Sequence, residues 1–586
     1  MTKVHRPYSE LVLFRPYADI REHNFIENTI LDSAKANGLS TSVIECNQDL
    51  ISFCFNMYTH GLDFNAPKKN KSDFCKACKY QAGINRTLSN YETFDLSRIL
   101  PELDLVTLDK IDFAFRLKMP SFTFDKLDFC RISSYEIRLQ NASHFEVHQS
   151  LYPEWKKQTE FCLRLYLGAQ EFFREKEKSL AMTYNRLYSL NNAFLSAAHS
   201  MGHATIGFQA NGRPSKIYHR VTFSLNRESQ VIPTALPSWV LAQRTPLTPI
   251  QVLRTYFVLK DYMQSKGGWA FSLTVGKIGK QRIDKITEPF KDGLVVLILS
   301  SSDEFFAAQS AGTKLPWKSP EEFLQTQRSA ITRFVDFAKQ SPNTLFVIRP
   351  HPRDCGNKRG TRNVEGFSES LSFLLSSISE TLENIYVNTP RDEISLYDLV
   401  KVAKYLFNVN STAGIHNTAL RGITVDFSNG QVFSYPSIVN LELENFESSQ
   451  LAKPKQRISK EQTIVSWRWI YFQHYGNSIR INRLVMPKWL FRKIKTPLKY
   501  IDRYSLIKLA IFRAMFWLHL VSSKRLRFIH SRNVSRSIDG LFSTKQSPKE
   551  QLETRCNKFK KEISRNLEWL LVSKVLYLID FKRSLS

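Results

Sequence analysis

Two segments constrain this chain more than any other: RPHPRD, Arg349 to Asp354, and NSTAGIHNTALRG, Asn410 to Gly422. The first follows LFVI (Leu345 to Ile348), a short apolar run of the kind that forms a buried parallel strand, and Pro350 and Pro352 forbid that strand from continuing. His351 is therefore expected at a strand's carboxyl end. The second follows YLFNV (Tyr405 to Val409), again strand-like, after which Ser411 or Thr412 can cap a helix and Gly422 can stop it. Both segments put a polar turn where a strand ends. Backbone N–H groups at such turns favour an anion, and in an open parallel sheet ligands bind beyond the carboxyl ends of the strands. A monophosphate or diphosphate is the guest these turns suit.

The same grammar runs through the rest of the chain. LVLFRPYA (Leu11 to Ala18) reads as a strand, HNFIENTILDSAKANG (His23 to Gly38) as a helix closed by its glycine, and STSVIEC as the next strand. AMTYN (Ala181 to Asn185), a helix stopped by Gly202 and the strand ATIGFQ repeat the pattern, with a long mixed insertion between residues 80 and 175. A second unit opens with GLVVLILSSSDEFFAA (Gly293 to Ala308). In SPEEFLQTQRSAITRFVDFAKQ, Ser319 is an N-cap, Pro320 the first helical residue and Glu322 the capping-box partner, with Phe323, Gln327, Ile331, Phe334, Val335 and Ala338 along one stripe. The RPHP strand, a helix over Phe367 to Leu382, the strand IYVN and a helix over Ser395 to Lys404 follow. The expected fold class is α/β, two Rossmann-like domains facing a cleft plus a basic, mainly helical C-terminal extension. The expected boundaries are 1–285 for the acceptor domain with its insertion, 286–450 for the nucleotide-binding domain and 451–586 for the extension.

Charge separates that extension from the rest. Of the chain's net +28, residues 451–586 carry 30 Lys and Arg against 8 Asp and Glu, or +22, which leaves +6 for the first 450 residues. Basic residues there interleave with apolar and aromatic ones. The run from Leu506 to Val521 is too apolar all round for an exposed nucleic-acid-binding helix, so an anionic membrane surface is the favoured partner, packing on the body the alternative, and nucleic acid the least favoured. No stretch reaches the roughly 18 uncharged apolar residues of a spanning helix, and the polar start MTKVHRPYSE gives no secretory signal. The expected location is the cytoplasm, peripheral on the inner face of the cytoplasmic membrane, with the mature chain starting here.

Four of the eight cysteines cluster: Cys46, Cys54, Cys75 and Cys78. The CKAC pair suits two thiolates on a tetrahedral zinc, and the other two could complete a structural zinc or iron–sulfur site; plain thiols are the alternative. No other cofactor is required. No DxD pair sits at a strand end, so cationic and backbone donors would replace a divalent metal, and the site is read as metal-independent.

Within that frame His351 is the catalytic candidate, donating a hydrogen bond or positive charge to a departing phosphate, with Arg349 and Arg353 beside it for the same work. A structural turn histidine is the plainer alternative. Ser411 and Thr412 are phosphate contacts or simply a helix cap, and Ser301, Ser302 and Glu304, in the run that ends the unit's first strand, are donor contacts or an ordinary helix start. On the acceptor side Asp19, Glu22 and His23 follow the first strand and are the candidates for a general base, a surface helix residue being the plainer reading of each, while Asn185 ends AMTYN and Arg186 follows it.

At these residues the chain resembles the bacterial capsule polysaccharide biosynthesis glycosyltransferases, a group that includes Kdo transferases and is similar in its motifs to polysialyltransferases and teichoic-acid polymerases. The resemblance rests on SSSDEF, a tryptophan and a long helix, FVIRPHP, SLYDLV, and STAG followed by a short helix and ITVDF, over Gly293 to Tyr435. The cysteine set and YNRLYSLNNAF followed by IGFQANG look more faintly like the family's amino-terminal half. The resemblance implies a GT-B transferase, a nucleotide-sugar donor with a cytidine nucleotide favoured, and a capsule, lipopolysaccharide or lipid-linked glycan acceptor. It also implies that His351, Ser411 and Thr412 contact the donor phosphate. Where many relatives have STAG-x-E, with a carboxylate that often binds the nucleotide ribose, this chain has His416, which either substitutes or loses that contact. The competing class is a non-catalytic member that binds polysaccharide or scaffolds a membrane assembly.

Overall fold

In a computed structural model, the described residues are 8–480, apart from 19, 51–53, 60–61, 63–65, 90, 118–119, 141–146, 226–236, 265, 267–276, 313–318, 356–368, 377, 379–381, 390–391, 410, 428–440, 443–445, 454–457 and 477. The chain opens β1 (Glu10–Arg15), α1 (Arg21–Ala36), β2 (Ser40–Glu45), α2 (Phe55–Thr59), α3 (Lys68–Ser89) and β3 (Glu92–Asp95). Next come α4 (Leu105–Arg116), the hairpin β4 (Thr123–Phe124) and β5 (Leu127–Asp128), α5 (Phe129–Gln140), α6 (Tyr152–Arg174), β6 (Ser179–Tyr184), α7 (Ser189–Ser200), β7 (Ala204–Ala210) and β8 (Arg220–Leu225). Helices α8 (Pro237–Ala242), α9 (Pro249–Met263) and α10 (Lys277–Thr287) lead to the second unit. That unit is β9 (Leu294–Ile298), α11 (Ser302–Ser310), α12 (Pro320–Gln340), β10 (Leu345–Arg349), α13 (Glu369–Leu375), β11 (Ile385–Val387), α14 (Leu396–Val402), β12 (Tyr405–Asn408), α15 (Ala413–Ala419), β13 (Ile423–Asp426) and β14 (Leu441–Glu442). The described chain closes with α16 (Lys460–Tyr471) and β15 (Ile479–Arg480).

Two sheets carry the fold. The first has the order β15-β8-β7-β6-β1-β2-β3, parallel except where β8 and β15 join antiparallel; the second, β11-β10-β9-β12-β13-β14, is parallel throughout. The central strands β1, β9 and β10 are buried along their whole length because helices cover both faces, as a parallel sheet requires. Along β1, Val12 and Phe14 face Phe173 of α6 and Phe194 of α7, whereas Leu11 and Leu13 face Ile26, Ile30 and Leu31 of α1. In the second sheet Val295, Leu297, Phe346 and Phe407 pack on Ile331 and Phe334 of α12, and Val296, Val347 and Leu406 on Leu399 and Val400 of α14. The molecule is thus α/β with two Rossmann-like sheets.

Local signals set most element ends. Gly38 and Gly202 close α1 and α7 with φ of 72° and 81°, and the Ser319 hydroxyl accepts the Glu322 N–H at 3.3 Å to start α12. Gly422 acts differently from expectation. The left-handed residue after α15 is Arg421 (φ 69°), while a Cβ at Gly422 would meet the Asn417 side chain at 2.0 Å, so that glycine is required by close approach.

Two stretches depart from the sequence reading. The 80–175 insertion is integral to the first unit: β3 pairs with β2, and α6 lies against α7 under the sheet. The start of the basic extension also belongs to the folded body. Trp467, Trp469 and Ile470 of α16 are buried against Trp239, Val252, Val258, Ile415 and Ala419, the Trp467 indole N–H donates to the Ala419 carbonyl at 2.9 Å, and β15 pairs with β8. Apolar side chains that bury here against the second unit's α15 cannot serve a membrane. The membrane reading of the extension therefore concerns residues 481–586, including Leu506 to Val521, which lie outside the described residues.

Candidate functional site

The second sheet reverses its strand order between β9 and β12: the chain runs β9, β10, β11 to one side, then returns to place β12 on the other flank of β9. A crevice forms beyond the carboxyl ends of strands at such a reversal. Three adjacent strand ends meet there in the order β10, β9, β12, carrying His351, Ser300–Ser301 and Ser411–Thr412.

Hydrogen bonds beyond the strands shape this edge. Leu299 N–H donates to the Arg349 carbonyl at 3.0 Å and Val409 N–H to the Ile298 carbonyl at 3.2 Å, so the ladder continues past both sides of β9. The Ser300 hydroxyl donates to the Val409 carbonyl at 2.6 Å, and its N–H to Gln327 Oε1 of α12 at 2.9 Å. Ser300 is thereby a tie between strand ends. At the end of β12 the buried Asn408 accepts the Ser411 N–H on Oδ1 at 3.0 Å, and Ser411 Oγ accepts the Ala413 N–H at 3.4 Å. Gly414 lets this turn close: a Cβ there would stand 2.7 Å from Asn408 Nδ2. Asn408 and Gln327 are positioning residues that the sequence reading missed. An asparagine three residues before Ser411, closing a strand, is an Asx-type turn signal that could have revealed the first.

His351, Ser411 and Thr412 are partly exposed at this edge, and Ser301 is buried at the N-cap of α11. The His351 carbonyl accepts the Asp354 N–H at 2.9 Å, which turns the chain into a 3-10 turn at Pro352–Cys355. Ser302 and Glu304 fall in the first turn of α11; their side chains, like that of Arg353, lie outside the described residues.

Two donor-side expectations are corrected. Arg349 is buried, and its Nη1 donates sideways to Asn388 Oδ1 and to the Asn388 and Thr389 carbonyls, each at 3.4 Å, bracing the end of β11. His416 is buried in the helical layer: Nδ1 lies 2.8 Å from the Tyr397 hydroxyl, and its ring centroid is 4.5 Å from that of Tyr262. Burial, with His474 nearby, lowers its pKa to about 3, so it is a neutral packed imidazole. It does not take the place of a ribose-binding carboxylate.

The first sheet reverses between β1 and β6, and the acceptor-side candidates gather there. His23 is buried, stacked on Tyr184 with centroids 3.5 Å apart, and its pKa is lowered by burial to about 3, which makes it a poor base near neutrality. Asn185 (φ 46°) accepts the Leu187 N–H on its own side chain at 3.2 Å and shapes the turn after β6. Arg186 beside it is buried. Glu22 is in the first turn of α1 and its side chain, like Asp19, lies outside the described residues. A buried network that the sequence reading missed closes this edge. Arg15 contacts Glu45, the Tyr91 hydroxyl and, at 3.8 Å, Glu27, whose pKa burial raises to about 7 against the opposing pull of Arg15.

Burial, with Cys54 and Cys78 near it, pushes the Cys46 thiol well up, while Cys75 is raised by burial and Asp49. Among the described residues no three His, Cys, Asp or Glu come together as a set that could hold a metal. Nor is any described helix long and apolar enough to cross a membrane.

No protein-family description and no curated protein matches the chain. Among solved structures, KpsC of Thermosulfurimonas dismutans, a β-Kdo 2,4 transferase, is 11% identical, with 50% of this chain and 80% of that one covered, at a TM-score of 0.27. The UDP-GlcNAc 2-epimerase of Neisseria meningitidis bound to UDP-GlcNAc is 9% identical, with 75% and 88% covered, at 0.21. MnaA of S. aureus with UDP is 8% identical, with 80% and 94% covered, at 0.24. Superpositions this loose carry no argument about chemistry, and the fold rests on the strand order itself.

Proposed function

We propose that the chain is a glycosyltransferase that takes a sugar from a nucleotide-sugar donor, a cytidine nucleotide before others, and passes it to a capsule, lipopolysaccharide or lipid-linked surface glycan. The observation that carries the reading is the coincidence of the β9/β12 reversal with partly exposed His351, Ser411 and Thr412 at neighbouring strand ends. The hydroxyls and backbone N–H groups of the 411–413 turn would hold the donor phosphates. His351 would donate to the phosphate oxygen on which charge grows as the glycosidic bond breaks. Ser301, at the intervening strand end, would border the same phosphates. The transfer would proceed without a divalent metal, and the basic residues beyond 480 would hold the protein to an anionic inner leaflet.

Thermal unfolding of the full chain with CMP, CDP and UDP, each with and without EDTA, tests the reading. Protection by a cytidine nucleotide that EDTA leaves intact supports it. Indifference to every nucleotide would sink it.

A further inference from the structure

Two apolar helix faces are exposed among the described residues, and their charges differ. On α4, Leu105, Val106, Phe113 and Leu117 are exposed, but Glu102, Asp104, Asp109 and Asp112 lie in or beside the same helix, against Lys110 and Arg116, with Asp112 paired to Lys156. On α8 and α9, Val240 (50% exposed), Leu241 (40%), Ile250 (63%) and Leu253 (49%) are exposed, and no Asp or Glu occurs from Pro237 to Lys260. Arg244, Arg254 and Lys260 are the charges there.

This second face is held in place by packing from beneath. Trp239 of α8 and Val252, Val258 and Leu259 of α9 are buried with Trp467 and Trp469 of α16. Arg468 Nη1 donates to the Gln243 carbonyl at 2.7 Å and fixes the turn between the two helices. Ile250, Leu253 and Arg254 stand at i, i+3 and i+4, one side of α9. Exposed apolar side chains in a segment with cations and no carboxylate, Arg254 lying over the Tyr475 ring at 5.6 Å from its centroid, form the pattern of an interfacial lipid surface, where apolar groups enter the acyl boundary and arginines meet phosphates.

We propose that the α8–α9 face is a membrane-docking surface, in which Val240, Leu241, Ile250 and Leu253 enter an anionic bilayer and Arg244 and Arg254 contact its headgroups. Charge selects the occupant. A second copy docked on this face would bring the arginines of both together, in a chain of net charge +28, whereas an anionic bilayer complements them. The α4 face, whose carboxylates outnumber Lys110 and Arg116, lacks that complement. The inference rests only on the membrane part of the reading above, and moves part of the attachment from the chain beyond residue 480 to the folded body.

The test is sedimentation of the full chain with phosphatidylglycerol/phosphatidylcholine vesicles and with phosphatidylcholine alone, at low and high salt, for the parent and the double variant Ile250→Glu, Leu253→Glu. Both positions are exposed, and unchanged thermal unfolding confirms the variant's fold. The variant should need about tenfold more anionic lipid for half-sedimentation, since two apolar side chains lose their burial, and should lose the binding that the parent keeps at high salt. The control Phe113→Glu, Leu117→Glu on α4 should bind like the parent. Equal sedimentation of parent and α9 variant at both salts, equal loss from the α4 control, or a parent dimer that the α9 variant disperses would each overturn the proposal. Parent binding that salt leaves wholly unchanged would overturn it too, because Arg244 and Arg254 would then meet no anionic headgroups.

Discussion

His416 Nδ1 and the Tyr397 hydroxyl lie 2.8 Å apart, buried between α15 and α14, one helical turn beyond Thr412. The pair ties the second sheet's helical layer together and leaves no imidazole for a ligand. His416→Ala should therefore cost about 1–3 kcal/mol of stability through the Tyr397 hydroxyl left without its partner. Nucleotide affinity per folded molecule should stay the same. Denaturant unfolding beside calorimetric titration of the same preparation separates the two effects, and a weakened nucleotide with intact stability would return His416 to the site.

Burial shifts several groups in opposite senses, and the signs fix a pH window. His23 and His416 at about 3 and His474 at about 4 titrate in the folded protein below the ordinary histidine value of 6.5. Their contribution is complete above 6.5 and is lost as pH falls toward 3–4, because the unfolded chain binds those protons first. Glu27 and Glu136 are raised to about 7 by burial, so their contribution is complete below 4.5 and is lost as pH rises through 7. Stability should peak near pH 6.5, fall gently from there to 4.5 where the two sets oppose each other, fall steeply below 4.5 where the histidines act alone, and decline from 6.5 to 7 where the glutamates act alone. Unfolding midpoints across pH check this, and Glu136→Gln should reduce the alkaline decline.

The start of the extension is packed structure. A chain ending at 480 retains α16 and β15 with the contacts described for them. One ending at 455 strips Trp467 and Trp469 from their contacts with Trp239, Val252 and Ala419 and should unfold at a clearly lower temperature or fail to fold. Equal melting of the two truncated chains would contradict the packing described for α16.

At the end of β12 the Asn408 side chain holds the Ser411 N–H at 3.0 Å, and Gly414 gives it room. Gly414→Ala puts a methyl 2.7 Å from Asn408 Nδ2 and should disturb the turn more than the fold. A loss of about tenfold in nucleotide affinity, ~1.4 kcal/mol, is expected with secondary structure retained. Titration calorimetry with circular dichroism on the variant reads both.

Much of this was legible because it is local. The Ser319–Pro320 start of α12, the glycines after α1 and α7, and the prolines around His351 that stop β10 at Arg349 act within a few residues of themselves. What stayed hidden depends on residues far along the chain. Nothing near His416 reports that Tyr262 and Tyr397 will enclose it, and nothing near Arg349 reports that Asn388 will turn its guanidinium aside. The two-residue strand β15 is too short to show a period, and the interleaved charges around Trp467 and Trp469 resemble an interfacial helix until α9 and α15 are seen to cover them. The two motifs assign His351 and Ser411 to strand ends on one phosphate-binding edge; that β9 stands between those strands follows from the crossover that sets β12 beside β9, which periodicity does not encode.

The central claim is that the β9/β12 edge binds a nucleotide phosphate through His351 and the 411–412 turn. Its most direct test is titration calorimetry of CMP and CDP against the full chain, His351→Ala and Ser411→Ala, with thermal unfolding of each variant measured in parallel. The predicted result is saturable binding to the parent, weakened about tenfold or more in each variant, with unfolding temperatures within about 2 °C of the parent's. Binding of equal strength to all three proteins would contradict it.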